Sequence, residues 1–404
     1  MFLKRFLTVA ALAILGVPLA TGARPAQQSP TMTGIDVLEA QNFAPLHGKR
    51  VGLITNQTGV DSKGRRTIDV LKSAPDVKLV ALFSPEHGIE GRADAKVGDA
   101  TDSASGLAIY SLYGDTRRPT PAMLTNLDAM VFDIQDAGVR FYTYTTTMAY
   151  CMEEAAKAHV AFYVLDRPNP LGGEIIEGPM LDPDKLSFVG YFPMPIRYAM
   201  TMGELAQMFN AENKIGADLH VIALQNWKRS EPYSETGVKW ISPSPNLRSL
   251  TEDYFYPGLE ILQAGGVSVG RGTDAPFEIF GAPWIDGDDL AKELSHRRIP
   301  GVQFSPTQFT PSQDLYAGLS CGGVLLRLAP HGDLRSMRMG IEIADALHKM
   351  YPDKFQIDKI LTLLGSQATL DRIKHGDSPS GIVKGWTPDL DKFRDVRAKY
   401  LLYR

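Results

Sequence analysis

The sequence is poor in cysteine: its 404 residues include only Cys151 and Cys321, which lie far apart in the chain. A chain of this length can bury a large hydrophobic core, so two thiols do not amount to a disulfide framework. Their separation also argues against a paired-thiol redox motif, in which two cysteines stand a few residues apart. Both fall in apolar segments, and we expect them to be small buried side chains.

An excess of charge of one sign is also missing. Lys and Arg number 42 against 46 Asp and Glu, which gives a formal net charge of -4. This balance provides no global positive field for nucleic acid or acidic lipid. The eight histidines are scattered, and no spacing typical of a zinc site, a P-loop or a GxSxG elbow occurs. We therefore expect no nucleic-acid partner, no metal and no cofactor.

The N-terminus carries a targeting pattern. Lys4 and Arg5 precede a mostly apolar run over 6–20, and small residues follow at 21–23. This order predicts a secretory signal peptide over 1–23, and the run is short for a stable membrane span. An uncleaved N-terminal anchor is the alternative. The segment 24–45 is expected to be a tether, and the protein to be exported, either periplasmic or secreted, with no stable membrane span after cleavage.

Short apolar runs alternate with helical patterns from Arg50 onward, as is typical of a parallel sheet with crossover helices. Several runs are apolar almost throughout, as expected for strands covered on both faces. The predicted strands are 51–54, 77–83, 108–112, 129–132, 161–165, 219–224 and 267–269. The predicted helices are 67–73, 121–126, 145–158, 202–212 and one around 256–264.

The pattern changes after residue 289. Two further strands are predicted over 302–304 and 323–328, and an amphipathic helix over 337–350. We therefore predict an α/β fold with two parts. A Rossmann-like, mostly parallel sheet with flanking helices spans 46–289, and a smaller C-terminal α+β domain spans 290–404.

Polar residues follow five of the predicted strands. Ligands of open parallel sheets bind outside the carboxyl ends of the strands, so these residues should meet at one edge. The five polar exits are Thr55–Gly59, Ser84–Gly88, Asp133–Asp136, Asp166–Pro170 and Gly270–Thr273. The first exit has no GxGxxG motif, which argues against a nicotinamide cofactor.

Carboxylates, amides, arginines and aromatic rings at one edge suit a carbohydrate. Hydrolysis of a glycosidic bond usually needs a proton donor at the leaving oxygen and a second group at the sugar carbon or the attacking water. Glu86 lies in a strand-to-loop turn with no evident helix to cap, and is predicted to be the general acid/base, with His87 beside it. Candidates for the second role are Asp133, Asp136, Glu177 and Glu278, of which Asp133 is placed with the catalytic residues.

The other polar and aromatic residues of these segments are predicted to bind substrate. They are Asn56, Gln135, Asp136, Arg140, Tyr142, Tyr144, Asp166, Arg167, Asn169, Glu177, Arg271 and Glu278. Structural alternatives exist for many of them. Asp133 and Asp166 could cap turns, and Arg140 and Arg167 could be buried partners of those aspartates. The tyrosines could belong to the core, and the asparagines are common turn residues.

Many short motifs resemble the exo-β-N-acetylmuramidases of the NamZ type, glycoside hydrolase family 171. Among them are Phe83–Ile89, Val131–Asp136, Leu165–Gly173, Gly270–Thr273 and Gly281–Trp284. The resemblance extends in order over essentially the whole chain after the N-terminal segment. It implies removal of N-acetylmuramic acid from the non-reducing ends of peptidoglycan fragments, with a Rossmann-like domain, a smaller C-terminal domain and Glu86 as the leading catalytic candidate.

The substrate that this resemblance implies suggests a use for an arginine. N-acetylmuramic acid carries a lactyl carboxylate that N-acetylglucosamine lacks, and arginine can hold a carboxylate through two parallel hydrogen bonds. Arg140, Arg167 and Arg271 are candidates, and Arg271 is favoured.

Two other functions remain open. A cell-wall esterase or amidase would need a nucleophile on a tight elbow, and neither Ser84 nor Cys151 has the flanking glycines. A non-catalytic muropeptide-binding protein could use the same cleft.

Overall fold

The computed structural model describes residues 29–93, 96–329 and 333–404. The predicted signal peptide lies outside these residues. The strands are β1 (Arg50–Thr55), β2 (Lys78–Ser84), β3 (Ala100–Thr101), β4 (Ala108–Ser111), β5 (Ala129–Asp133), β6 (Ala161–Leu165), β7 (Glu177–Met180), β8 (Pro195–Arg197), β9 (Leu219–Ile222), β10 (Ile279–Ala282), β11 (Val302–Phe309) and β12 (Cys321–Leu328). The α-helices are α1 (Gly34–Ala40), α2 (Thr67–Lys72), α3 (Pro121–Leu124), α4 (Tyr144–Lys157), α5 (Met202–Glu212), α6 (Leu250–Gln263), α7 (Gly287–His296), α8 (Ser336–Met350), α9 (Leu361–Leu364), α10 (Gln367–Lys374), α11 (Pro379–Gly385) and α12 (Thr387–Ala398).

Seven strands form the main sheet in the order β3-β4-β2-β1-β5-β6-β9. All neighbours pair in parallel except β3, which runs antiparallel to β4 at the edge. The chain builds the sheet outward from β1 through β2 to β4, then crosses back to β5 and continues through β6 to β9. The order therefore reverses between β1 and β5, where α/β sheets open a crevice for ligands. This confirms the predicted α/β fold.

Apolar side chains cover both faces of the main sheet, which explains the nearly continuous apolar runs. Along β1, Leu53 belongs to one buried cluster and Ile54 to the other. The cluster of Leu53 also contains Ile35 of α1 and Leu71 of α2. The cluster of Ile54 extends into α4, α5 and the C-terminal helices. This second, larger cluster ties the main sheet to the rest of the chain.

A smaller sheet and several helices make up the C-terminal part. The order of this sheet is β10-β12-β11, and both pairs are antiparallel. Because β10 precedes residue 289 and its partners follow it, the predicted division at 289/290 cuts through this sheet. The sheet favours a division placed before Ile279.

Three local predictions differ from the structure. The predicted tether over 24–45 contains helix α1, whose Ile35 and Leu38 are fully buried, so the chain is folded against the sheet from there on. The predicted strand 267–269 makes one isolated bridge, from Ser268 to Gly281, and does not join the main sheet. Val267 and Val269 lie in the hydrophobic core, which explains why this run is apolar.

The third difference concerns helix α6, which was expected to begin near residue 256. It begins at Leu250, because Ser249 and Glu252 form a capping box. The helix continues through Pro257 and places Glu260 in its last turns. Among all helices of the described residues, none combines the length and the apolar character that a membrane crossing requires.

Candidate active site

A cavity of about 150 Å³ lies at the end of β2, where the main sheet meets α6 and the segment after it. Its polar lining includes Glu86, His87, Thr143, Glu260 and Arg271. These residues come from four separate segments of the chain. The cavity therefore exists only in the folded protein, and it brings Glu86 together with the favoured arginine.

Glu86 reaches the cavity because the chain turns sharply after β2. His87 and Gly88 both have positive φ, 70° and 75°, and the N–H of Gly88 donates to the carbonyl of Pro85 at 3.0 Å. The half-buried Glu86 accepts a hydrogen bond through its Oε2 from the Oγ1 of Thr143 at 2.6 Å. The left-handed conformation of His87, which non-glycine residues rarely adopt, is thus part of the turn that presents this carboxylate.

The surroundings of Glu86 hold it from two further sides. Nδ1 of His87 lies 2.7 Å from the carbonyl oxygen of Ala93, which anchors the imidazole beside the cavity. On the other side stands Tyr113, whose pKa is raised to about 12 by burial and by its hydrogen bond to Glu86. Glu86 therefore lies between a hydroxyl from the end of β4 and a hydroxyl from the start of α4.

Tyr144 supports the turn from behind the cavity. Its hydroxyl accepts a hydrogen bond from Nδ2 of Asn56 at 3.0 Å and donates to the carbonyl of Pro243 at 2.6 Å. Tyr144 is fully buried, and the Oδ1 of Asn56 is occupied by the N–H and hydroxyl of Thr58. Both residues therefore support the site without lining this cavity.

Aromatic rings form the apolar side of the cavity. Tyr142, Tyr256 and Phe277 line it, with ring centroids 6.0 Å apart for Tyr142 and Tyr256 and 5.0 Å for Tyr256 and Phe277, both edge to face. The hydroxyl of Tyr142 is buried and has no hydrogen-bond partner among the described residues. Such rings suit the C–H faces of a sugar, and the Tyr142 hydroxyl lies near Tyr144 and Ser244 at the same wall.

Glu260 is a second carboxylate in the cavity, and it is not among the site residues predicted from the sequence. Its Oε1 accepts a hydrogen bond from NH2 of Arg271 at 2.7 Å, and its Oε2 is buried without a hydrogen-bond partner among the described residues. Burial raises the pKa of Glu260, and Arg271 opposes that rise. A signal for it existed, since Tyr256 and Glu260 are spaced i, i+4 on one face of the predicted helix.

Asp133, predicted to be catalytic, instead forms a buried ion pair. Its two carboxylate oxygens accept from Nε and NH2 of Arg167 at 2.6 and 3.0 Å, and Thr67 donates a third bond at 2.5 Å. NH2 of Arg167 also bonds the carbonyl of Val60. Neither residue lines the cavity of Glu86. The geometry supports the structural alternative for both residues.

Arg140 was predicted to bind substrate, but its guanidinium donates hydrogen bonds to backbone carbonyls inside the protein. Its guanidinium donates to Pro179 and Met194 through NH1 and to Leu363 and Leu364 through NH2, at 2.8 to 3.1 Å. It thereby joins the loop after β5 to the end of α9. Arg140 is 1% exposed, so a ligand cannot reach it.

Asp136 and Gln135 are also inside the protein. Asp136 accepts bonds from the N–H of Gly138 at 2.7 Å and from the hydroxyl of Tyr198, and burial raises its pKa to about 7. Gln135 donates from its Nε2 to the carbonyls of Asp136 and Pro168. These bonds fix the loop that follows β5.

Asp166 and Asn169 fix the loop after β6 in a similar way. Asp166 accepts from the N–H of Gly203 at 2.8 Å and from the hydroxyls of Thr201 and Tyr403. It thus caps α5 and binds the C-terminal tail, and burial raises its pKa to about 6. Asn169 bonds the carbonyl of Met200 and the N–H of Leu171. Both are structural rather than part of the cavity.

Glu177 and Glu278 are the last two predicted site residues that lie outside the cavity. Glu177 accepts from the N–H of Arg338 at 2.8 Å at the start of α8 and lies 3.4 Å from Arg197. The backbone carbonyl of Glu278 accepts from the N–H of Leu326 on β12. Neither lines the cavity. Of the predicted site residues, the cavity therefore brings together Glu86, His87, Tyr142 and Arg271.

The competing nucleophiles are unsuited to esterase or amidase chemistry. Ser84 and Cys151 are both fully buried, and burial raises the pKa of the Cys151 thiol. A buried thiol with a raised pKa is a poor source of thiolate. Within 29–93, 96–329 and 333–404, no group of three or more His, Cys, Asp or Glu side chains is arranged to hold a metal ion.

The sequence and the structure both have clear relatives. Residues 51–251 match the family model described as exo-β-N-acetylmuramidase NamZ, N-terminal, and residues 254–403 match its C-terminal counterpart. The chain is 40% identical to the peptidoglycan β-N-acetylmuramidase NamZ of Bacillus subtilis (strain 168), over 98% of this chain and 99% of that protein.

Two crystal structures of DUF1343 family proteins from Bacteroides fragilis share the fold. One has a TM-score of 0.86 at 39% identity and covers 94% of this chain and 100% of that one. The other has a TM-score of 0.77 at 31% identity and covers 93% and 99%. The matches over nearly the full length show that this chain belongs to the NamZ family of exo-β-N-acetylmuramidases, and it is a glycoside hydrolase.

Proposed function

We propose that this protein is an exo-acting β-N-acetylmuramidase that removes terminal N-acetylmuramic acid from the non-reducing ends of peptidoglycan fragments, with Glu86 as general acid/base. The observation that carries this proposal is the cavity in which Glu86 lies beside a second carboxylate, an arginine and aromatic rings. The named activity of the Bacillus subtilis relative supports the substrate class.

The proposed role of Glu86 follows from its contacts. Thr143 donates to Oε2, and the hydrogen bond with Tyr113 holds the same carboxyl group. A fixed carboxyl group at the wall of a cavity can protonate the oxygen that leaves the anomeric carbon, and then accept a proton from water. His87 borders the same cavity and is proposed to contact the substrate beside it.

Arg271 is the arginine proposed to recognise the lactyl carboxylate. Of the three predicted arginines it is the one that lines the cavity, and its Nε has no hydrogen-bond partner among the described residues. Its NH2 group is engaged by Glu260, and its Nε lies 3.8 Å from the Oδ2 of Asp314. Arg271→Gln should then weaken the binding of N-acetylmuramic acid, measured by calorimetry, and leave the binding of N-acetylglucosamine unchanged.

Chromogenic β-glycosides of N-acetylmuramic acid and N-acetylglucosamine test the function directly. The wild-type protein should release the chromophore from the first and not from the second, with or without a chelator. Glu86→Gln should bind muramic acid as the wild type does but release the chromophore much more slowly. Equal release from both glycosides by the wild type, or undiminished turnover by Glu86→Gln, would contradict the proposal.

Export is proposed from the N-terminal pattern of positive, apolar and small residues. Peptidoglycan fragments outside the inner membrane would then be the substrate pool. N-terminal sequencing of the protein purified from its own cells should find a chain that begins after residue 23. A mature chain that still begins at Met1 would contradict the proposal.

A further inference from the structure

The two oxygens of the Glu260 carboxylate have different surroundings. Oε1 is held by Arg271 at 2.7 Å, whereas Oε2 is buried and has no hydrogen-bond partner among the described residues. Leaving a buried acceptor unsatisfied costs on the order of 1–3 kcal/mol. Because Glu260 lines the same cavity as Glu86, a ligand in that cavity can reach this carboxylate.

The need to balance the charge of Arg271 does not by itself explain why a glutamate stands at position 260. Asp314 also lies near this arginine, with its Oδ2 3.8 Å from Nε. Glu260 and Glu86 are close enough for the charge of Glu86 to add to the rise that burial produces in the pKa of Glu260. Two carboxylates that repel each other in one small cavity are unfavourable for stability, and this arrangement is typical of sites with paired acid and base roles.

We infer that Glu260 is the second catalytic carboxylate: its side chain, 14% exposed at the cavity wall, stabilises the positive charge that develops on the anomeric carbon. The inference rests on the proposed function and extends it. Arg271 opposes the rise in the pKa of Glu260 and fixes its orientation through Oε1. Tyr256, one turn earlier on α6, adds an aromatic edge to the same wall.

Each turnover breaks one glycosidic bond and forms one bond between the anomeric carbon and a water oxygen. Glu86 gives its proton to the glycosidic oxygen, the bond between that oxygen and the anomeric carbon breaks, and its electron pair leaves with the oxygen. The oxygen of a water molecule then bonds to the anomeric carbon, and the water gives up one proton to the carboxylates of the cavity. The net reaction consumes one water and needs no other reactant.

A leaving-group series separates this role from that of Glu86. Proton donation matters most for poor leaving groups, whereas stabilisation of the sugar carbon matters for all of them. Glu86→Gln should therefore retain more activity on an activated nitrophenyl glycoside of N-acetylmuramic acid than on its methylumbelliferyl or sugar counterparts. Glu260→Gln should lose activity on all of them by a similar factor, about a thousandfold.

Glu342 provides the matched control. It is a buried glutamate that bonds an arginine, Arg297, at 3.2 Å, and it lies on α8 outside the cavity. Glu342→Gln should leave kcat/KM near the wild-type value. Circular dichroism and thermal unfolding show whether each variant is folded.

Chemical rescue keeps the inference testable if Glu260→Gln is poorly folded. Glu260→Ala removes the carboxylate and leaves space in which azide or formate can act at the anomeric carbon. Added azide or formate should restore turnover of the activated glycoside by about tenfold or more, whereas a purely structural role would not respond.

Three results overturn the inference, and each is distinct from a failure of the proposed function. They are near-normal turnover by Glu260→Gln, a loss that depends on the leaving group as it does for Glu86→Gln, and absence of any rescue of a folded Glu260→Ala. If the wild-type protein itself releases nothing from the muramic-acid glycoside, the proposed function fails first.

Discussion

The Oγ1 of Thr143 donates a hydrogen bond of 2.6 Å to the Oε2 of Glu86. This bond links the turn after β2 to the residue that precedes α4, so two crossover connections of the sheet meet at the proposed acid/base. Because the hydroxyl fixes the direction of the carboxyl group, it should influence the rate at which Glu86 works.

Thr143→Val tests this relationship. The substitution keeps the size of the side chain and removes the donor, so kcat/KM should fall about tenfold, since a hydrogen bond to a charged group is worth about 1.5–3 kcal/mol. Thr146→Val on α4 is the control, since Thr146 is buried and its hydroxyl has no partner among the described residues. Equal effects of the two substitutions would contradict the assigned contact.

Asp133→Asn should affect stability more than chemistry. It leaves the buried guanidinium of Arg167 without its charge partner, which typically costs about 3–5 kcal/mol of the free energy of unfolding. Urea unfolding measures this loss. The double substitution of Asp133→Asn and Arg167→Met should lower the free energy of unfolding by less than the sum of the two single substitutions. A stable Asp133→Asn protein that has lost turnover would restore the catalytic role that the geometry does not support.

Asp136 should make stability depend on pH. Burial raises its pKa to about 7 from an ordinary value of 3.8, so the folded protein retains a proton that the unfolded chain releases as the pH rises. Its contribution to stability is therefore present below about pH 4 and is lost as the pH rises to about 7. The difference in unfolding free energy between the wild type and Asp136→Asn should change over that interval. A difference that stays constant from pH 4 to pH 7 would contradict the raised pKa.

Tyr142→Phe should weaken substrate binding without a loss of stability. The Tyr142 hydroxyl lies in the cavity wall near Tyr144 and Ser244 and makes no hydrogen bond of regular geometry to the described residues, so the folded protein loses little when it is removed. Loss of one hydrogen bond to the sugar should raise KM by about tenfold. Tyr163→Phe serves as contrast, because the Tyr163 hydroxyl bonds the carbonyl of Pro45 at 3.1 Å far from the cavity. That substitution should lower the melting temperature and leave KM unchanged.

Sequence patterns were enough to predict the sheet and the position of Glu86. Apolar runs covered on both faces identify parallel strands, and a carboxylate in a strand-to-loop turn with no helix to cap pointed to function. Patterns could not separate Asp133, Asp166 and Arg140 from site residues. Buried loops need the same polar side chains to satisfy their backbone groups and to balance charge, and only the partners reveal which use applies.

Glu260 shows a different limit of the sequence. It lies in a helix that packs across the cavity, away from the strand ends, so the rule that ligands gather at strand ends gave no reason to examine it. The prediction of a strand over 267–269 was wrong because short apolar runs are equally consistent with buried coil. Arg271 nevertheless reached the cavity, because the segment after α6 returns to the same edge.

The most direct test of the central claim is a product analysis on peptide-free glycan chains with N-acetylmuramic acid at the non-reducing end. Mass spectrometry should show that the wild-type protein releases one free N-acetylmuramic acid per chain and then stops at the exposed N-acetylglucosamine, while Glu86→Gln releases none. Internal fragments of several sugars, or release of N-acetylmuramic acid by Glu86→Gln at the wild-type rate, would contradict the account.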